Sequence, residues 1–227
     1  MMQIIRIFSL LCLCLLSGAH QIAVAEETTD PLAFFLNKLE SYQADFKQTL
    51  SNEQGTVLET STGRVYMQNP GRYRWEYEQP YAQLLITDSD TLWIYDKDLA
   101  QVTIKNVAGA IDNTPAAIIS GQQNIKEHFV VVNMGVIEGF DFIELTPRDI
   151  DSQYRSVRLG FDKNNLIMMI LSDNLGQITR IDFLNPVRNK KFAGTLFTFD
   201  MPTGVDVIDE RQLEQNNKPG NPGTNPG

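Results

Sequence analysis

The chain has 227 residues, of which 42% are hydrophobic and 21% are charged, a balance typical of a globular protein with an ordinary buried core. It carries 28 acidic and 19 basic residues, which gives a formal net charge of −9. This acidic balance argues against general binding of nucleic acid or of anionic membrane surfaces, because both attract basic proteins.

The first 25 residues predict a cleaved secretory signal peptide. Arg6 supplies a positive charge, residues 7–16 form an apolar stretch too short to span a bilayer, and residues 23–25 (Ala-Val-Ala) form a cleavage site. Cys12 and Cys14 lie inside this peptide, so we expect no thiol in the mature chain. A lipoprotein signal is the alternative, but leucine and not a small residue precedes each cysteine. We therefore expect a mature protein that is free in the periplasm.

Two short helices are predicted. Asp30 and Pro31 are typical of an N-cap and a first helical residue. Apolar residues then follow at helical spacing: Leu32, Phe35, Leu36 and Leu39. The second helix is predicted over 114–121, between an N-capping threonine followed by proline and a terminating glycine.

The remainder alternates apolar and polar residues in short runs separated by turn residues, which is typical of β-strands. The predicted strands are 44–50, 56–68, 72–78, 83–88, 91–96, 101–105, 128–133, 140–146, 154–161, 166–172, 177–184 and 195–199. About eleven strands at this spacing predict a mainly β (α+β) fold, an incomplete antiparallel β-barrel with the short α-helices as a lid over an apolar cavity. We expect a single domain over 26–211, followed by a disordered Asn/Pro/Gly tail at 212–227.

One predicted strand carries an aromatic face. Tyr73, Trp75 and Tyr77 alternate with arginine and glutamate, so a strand places three aromatic rings on one face and the charges on the other. In the run 91–96, aromatic and aliphatic residues alternate, so both faces of the sheet need cover there. From the pattern alone, these aromatic residues fit a packed core better than a ligand pocket.

The sequence offers few residues suited to catalysis. His128 stands at the start of an apolar run, where a structural role is usual. The Asp88/Asp90 and Asp96/Asp98 pairs fit turns better than a cation site. A nucleophile elbow, a phosphate-binding glycine loop and the spacing of a Cys/His metal site are all lacking. We expect a protein that is not an enzyme and uses no cofactor and no metal, although a hydrolase with an unrecognised carboxylate pair stays open.

Four motifs occur in order along the chain. They are Pro-x-x-Tyr-x-Trp at 70–75, Thr-Leu-Trp-x-Tyr-Asp at 91–96, Gln-x-Thr at 101–103 and Phe-Thr-Phe-Asp-Met-Pro-Thr-Gly-Val-Asp at 197–206. Together they resemble the LolA family of periplasmic outer-membrane lipoprotein carriers, and the resemblance covers most of the mature chain. It implies an open barrel with a helical lid over an apolar cavity and a carrier of lipidated proteins.

The resemblance also implies partners. An inner-membrane lipoprotein-releasing ABC transporter would supply the acyl chains of lipoproteins, and an outer-membrane lipoprotein acceptor would receive them. We expect a monomer that binds no nucleic acid. The alternative is a lipid- or lipoprotein-sensing regulatory module that resembles RseB, although such proteins usually carry a second domain for which this chain ends too soon.

Site residues follow from the same resemblance. Leu36, Ile118 and Ile119 match lid positions, Trp75 matches a cavity position, and Tyr73 matches an aromatic needed for hand-over from the transporter. The full set expected to contact acyl chains or the lid is Leu36, Tyr73, Trp75, Tyr77, Trp93, Ile118 and Ile119.

Position 69 departs from the family pattern. Many family members have an arginine there that holds lid carbonyls, whereas Asn69 lacks the guanidinium donors. Arg72 or Arg74 could act as the lid latch instead, although strand parity places both opposite the aromatic face.

Overall fold

The structure is a computed structural model that describes residues 30–88, 90–107, 125–163 and 165–211. The predicted signal peptide, the second predicted helix at 114–121 and the predicted tail lie outside the described residues. Within the described ranges, no helix is long and apolar enough to cross a membrane.

Strands dominate the described part of the chain. The strands are β1 Ser41–Ser51, β2 Val57–Gln68, β3 Arg72–Gln79, β4 Gln83–Asp88, β5 Thr91–Asp96, β6 Gln101–Asn106, β7 Phe129–Ile137, β8 Phe140–Pro147, β9 Tyr154–Asp162, β10 Asn165–Asp173, β11 Ile178–Arg188 and β12 Asp206–Asp209. Two short helices, α1 Pro31–Leu36 and α2 Ile125–His128, and a 3-10 turn at Gly194–Phe197 complete the described elements.

All twelve strands form one sheet in the order β12-β6-β5-β4-β3-β2-β1-β11-β10-β9-β8-β7. Two antiparallel meanders, β1–β6 and β7–β11, are joined by the pairing of β1 with β11. Strands β12 and β7 are the two edges and do not pair with each other, so the sheet is open. The predicted mainly β, incompletely closed architecture is confirmed, with β12 as a parallel addition beside β6.

One face of the sheet, here called the inner face, packs against α1 and forms the main core. It collects buried apolar side chains from both meanders because alternate residues of each strand point the same way. Its fully or nearly fully buried members include Tyr42, Phe46, Val65, Met67, Tyr73, Trp75, Ile143, Leu145, Val157, Leu159, Phe161, Met169, Ile181 and Phe183. The opposite face is called the outer face.

Helix α1 begins as predicted and ends earlier than the apolar spacing suggests. The Asp30 side chain accepts hydrogen bonds from the backbone N–H groups of Leu32 and Ala33, which satisfies free donors of the first turn. The helix ends at Leu36 because Asn37 is extended, with a ψ of 121°, and Lys38 then adopts a φ of 54°. Leu39 is buried beyond the helix and is not on its face.

The strand predicted at 195–199 is wrong. Residues Gly194–Phe197 form a 3-10 turn, and β12 begins at Asp206. The apolar residues of this segment pack across the outer face instead of pairing at an edge: Phe197 is 2% exposed, and Phe199 contacts the rings of Trp93 and Tyr95. The alternating apolar residues at 195–199 therefore belong to a segment that crosses the sheet and not to a strand.

Candidate functional site

Aromatic rings form the centre of the inner face. The Trp75 ring lies 5.1 Å from the Phe46 ring and 6.3 Å from the Phe183 ring, measured between centroids. Tyr77 completes the group, with its ring 5.2 Å from that of Phe46. Tyr73 is 1% exposed and Trp75 is 4% exposed. The alternation along β3 therefore brings the three predicted aromatic residues to one face.

Helix α1 covers this face across β1 and β9. Phe35 is fully buried, and its ring lies 5.7 Å from the Tyr42 ring and 5.9 Å from the Phe161 ring. Leu36 packs against the same core and is partly buried. Burial of one large apolar side chain contributes about 1.5–3 kcal/mol, so α1 is held mainly by Phe35 and its apolar neighbours.

An apolar groove of about 250 Å³ opens between α1 and α2. Its lining is Asp30, Leu32, Ala33, Leu36, Ile125, Lys126 and Val131. Leu32 and Ile125 belong to the buried core, whereas Asp30 and Lys126 stand at the rim. Core side chains therefore form part of the groove wall beside α1.

Polar side chains hold the carbonyls of α1 and of the link that follows it. Arg188 of β11 donates a hydrogen bond of 2.8 Å from Nη2 to the carbonyl oxygen of Phe35. Asn69 donates a hydrogen bond of 2.6 Å from Nδ2 to the carbonyl oxygen of Leu39. Asn69 thus holds the link between α1 and β1 and not α1 itself. The arginine that reaches α1 is Arg188, on β11.

The link between α1 and β1 is also fixed by Asn189. Its Oδ1 accepts from the Glu40 N–H at 2.9 Å, and its Nδ2 donates to the Lys38 carbonyl at 3.1 Å. The Ser41 hydroxyl donates to the Lys190 carbonyl at 2.7 Å. These hydrogen bonds fix residues 38–41 to the segment that follows β11.

Tyr77 marks the change from the apolar to the polar end of the inner face. Its hydroxyl donates to Gln48 Oε1 at 3.1 Å, and burial raises its pKa to about 12. Beyond it lies a polar pocket of about 320 Å³. The pocket lining is Gln48, Glu59, Ser61, Tyr77, Pro80, Tyr81, Gln83 and Asp96.

The outer face receives the remaining aromatic candidate and the two arginines. Trp93 stacks on Phe199 with ring centroids 6.0 Å apart, on the face opposite Trp75. Arg74 donates to the Leu196 carbonyl, and the Arg72 guanidinium lies 5.8 Å from the Phe197 ring centroid. The structure therefore separates Trp93 from the other aromatic candidates, and among the described residues it places Arg72 against the C-terminal segment and not against α1.

Two predicted site residues, Ile118 and Ile119, lie outside the described residues. Three residues of the site were missed from the sequence: Phe46, Phe183 and Arg188. Phe46 and Phe183 could be found from strand parity once their strands are paired. Arg188 could not, because an irregularity in the β1–β11 register between Gln43 and Asp45 decides which face it joins.

The acidic residues that the sequence pairs can be placed in the structure. Within those ranges no group of three or more His, Cys, Asp or Glu side chains could hold a metal ion. The Asp96 carboxylate accepts from the backbone N–H groups of Asp98 and Leu99 at 3.0 and 2.9 Å. This aspartate therefore shapes the β5–β6 turn, as its position in the sequence predicts.

The fold and the site define a class: a mainly β protein with an open sheet whose apolar inner face lies under a short N-terminal helix. The family model described as outer membrane lipoprotein carrier protein LolA matches residues 37–200. The chain therefore belongs to the LolA family, and the resemblance inferred from the motifs is confirmed.

Relatives with assigned names agree with this family. An outer-membrane lipoprotein carrier protein from Nitrosospira multiformis is 37% identical over 180 residues, which is 79% of this chain and 87% of that protein. Another from Cupriavidus necator is 37% identical over 206 residues, which is 89% and 98% of the two chains. The crystal structure of an uncharacterized conserved protein from Thermus thermophilus shares the fold, with a TM-score of 0.50 at 13% identity over 79% of this chain and 95% of that one.

Proposed function

We propose that this protein is a periplasmic carrier that binds the acyl chains of lipoproteins against its inner face, beneath α1. The observation that carries the proposal is the apolar groove beside Leu36, whose wall includes the core residues Leu32 and Ile125. Relatives over 35% identical are named as lipoprotein carriers, which supports the same cargo.

The thermodynamics suit a carrier that encloses its cargo. Each CH₂ group moved out of water contributes ~0.8 kcal/mol, so one 16-carbon chain resists exposure to the periplasm by about 12 kcal/mol. A sheet that is open at one side can accept such chains without closing a barrel around them. We infer that α1, together with the segment that includes Ile118 and Ile119, is the lid that shields the chains.

We further propose that loading and release depend on partners. The sequence carries no nucleotide-binding motif, so an inner-membrane ABC transporter would provide the work of extraction and an outer-membrane acceptor would take the chains by higher affinity. The carrier itself would act as a monomer and perform no covalent chemistry. Its acidic net charge of −9 disfavours adhesion to anionic membrane surfaces during transit.

A photo-crosslinking residue at position 36 tests the proposal in cells. Leu36 lines the groove, so its replacement should capture lipoproteins through their acyl chains, identified by mass spectrometry as acylated peptides. Leu175, which is 83% exposed in the β10–β11 turn, is the matched control position and should capture none. Equal capture at both positions, or capture at position 36 of proteins without acyl chains, would refute the proposal.

A further inference from the structure

The indole nitrogen of Trp75 is a buried hydrogen-bond donor without a partner. The side chain is 4% exposed, and Nε1 has no hydrogen-bond partner among the residues that the structure describes. Its neighbours are the rings of Phe46, Tyr77 and Phe183. A buried donor left unpaired costs about 1–3 kcal/mol, so such groups are uncommon and call for an explanation.

Among the described residues, Arg188 Nε is the other buried side-chain atom without a partner, but the Arg188 guanidinium is paired through Nη2 with the Phe35 carbonyl. Two buried hydroxyls on the inner face are satisfied. The Tyr42 hydroxyl donates to the Leu166 carbonyl at 2.9 Å. The Thr87 hydroxyl donates to the Gly71 carbonyl at 2.8 Å and accepts from the Tyr73 N–H at 3.1 Å. Trp75 thus differs from these groups, because its side chain has a single polar atom and that atom is unpaired at the centre of the aromatic group.

We propose that the Trp75 indole N–H donates a hydrogen bond to the ester carbonyl of a bound acyl chain. This inference rests on the proposed function and adds the chemical group that the inner face recognises. The indole is a donor only, so its partner must be an acceptor. The surroundings are apolar, so that acceptor must be neutral, because a free carboxylate would be a buried charge without a counter-ion.

An ester meets these requirements through its carbonyl oxygen. An ether lacks that carbonyl and does not meet them equally. The ester carbonyl is a good acceptor attached directly to the hydrocarbon chain, so one ligand fills the apolar face and pairs the donor. Trp75 is 4% exposed, so its indole is shielded from solvent. A carbonyl that enters from outside therefore reaches Nε1 only when the groups that cover it move, which couples the hydrogen bond to opening of the site.

Two synthetic peptides with the same N-terminal cysteine test the inference. One carries a dipalmitoylglyceryl group with two esters, and the other carries the dihexadecyl diether with the same chain lengths. The wild type should bind the diester about 5-fold more tightly, the equivalent of about 1 kcal/mol for one neutral hydrogen bond. Trp75→Phe should bind both peptides alike, whereas Trp93→Phe, on the outer face, should keep the preference.

An NMR measurement avoids reliance on the Trp75→Phe variant. The chain has two tryptophans, so Trp93→Phe assigns the Trp75 indole proton. That proton should move downfield with the diester and not with the diether. Equal affinity of the wild type for the two peptides, or a preference that survives Trp75→Phe, would overturn the inference alone. Absence of binding by either peptide would overturn the proposed function and this inference with it.

Discussion

Arg188 and Phe35 are joined by a hydrogen bond of 2.8 Å from guanidinium Nη2 to the carbonyl oxygen, although 153 residues separate them. The same guanidinium lies 5.4 Å from the centroid of the Phe35 ring. Arginine side chains near the end of a helix commonly satisfy its last carbonyls. Helix α1 is therefore tied to β11 by a side-chain contact that is not one of the hydrogen bonds between the strands.

Replacing Arg188 should loosen α1 without removing its apolar packing. A hydrogen bond to a charged donor contributes about 1.5–3 kcal/mol, so Arg188→Gln should speed amide hydrogen exchange over residues 31–36 by at least about 10-fold. Arg180→Gln is the matched control on the same strand, because Arg180 pairs with Asp182 and does not contact α1. Unchanged exchange in Arg188→Gln would show that Phe35 packing alone holds the helix.

Phenylalanines on the two faces should differ in their effect on function. Phe46 on the inner face is 1% exposed, and Phe197 on the outer face is 2% exposed. Each Phe→Ala change should lower the free energy of unfolding by about 3–5 kcal/mol. Acyl-chain binding by the folded protein should weaken only in Phe46→Ala, as measured by displacement of a fluorescent fatty acid. Equal loss of binding in both variants would contradict the assignment of the inner face.

Gly63 should not tolerate a side chain. A Cβ at this position would overlap the Glu76 carbonyl oxygen and lie 3.0 Å from a ring carbon of Phe46. Gly63→Ala should therefore destabilise the fold by at least about 3 kcal/mol in urea denaturation, because backbone must move. Gly194→Ala is the control, since nothing lies within 4 Å of its Cβ position. A stable Gly63→Ala protein would mean that β2 and β3 approach less closely.

Alkaline pH should destabilise the protein through buried tyrosines. Burial raises the pKa of Tyr77 from 10.0 to about 12, and it also raises the pKa values of Tyr42 and Tyr73. Between pH 10 and pH 12 the unfolded chain loses protons that the folded chain keeps, so this stability is present below pH 10 and is lost as pH rises. Each such tyrosine lowers the free energy of unfolding by about 1.4 kcal/mol per pH unit.

Urea denaturation at several pH values measures that slope. Tyr77→Phe should make it shallower, because one group that titrates on unfolding is removed. A free energy of unfolding that does not change between pH 10 and pH 12 would show that these hydroxyls are solvated in the folded protein.

Much of the fold follows from local pattern, and the misses have long-range causes. The alternation of Tyr73, Trp75 and Tyr77 predicts their common face because strand periodicity is a local property. The segment at Gly194–Phe197 has the same kind of alternation, yet it crosses the outer face because the sheet there offers an apolar surface to cover. Local sequence cannot distinguish pairing at an edge from packing on a face.

Strand alternation also predicts part of the site, but not which face of the sheet forms the cavity. The parity of β5 places Trp93 and Leu92 on opposite faces, but the face that belongs to the cavity depends on what covers each side. Arg188 was missed because its role depends on the register of β1 against β11, which a single sequence does not specify. The hydrogen bond from Arg188 to α1 thus depends on how two strands far apart in sequence pair. The aromatic face depends only on the alternation within β3.

Quenching by brominated acyl chains tests the central claim, that acyl chains bind against the inner face. The two tryptophans lie on opposite faces, so Trp93→Phe leaves only the inner-face indole and Trp75→Phe leaves only the outer-face indole. At saturating concentrations of a peptide with brominated acyl chains, emission from Trp75 should be strongly quenched and emission from Trp93 should be unchanged. Quenching of Trp93 alone, or equal quenching of both, would contradict the account.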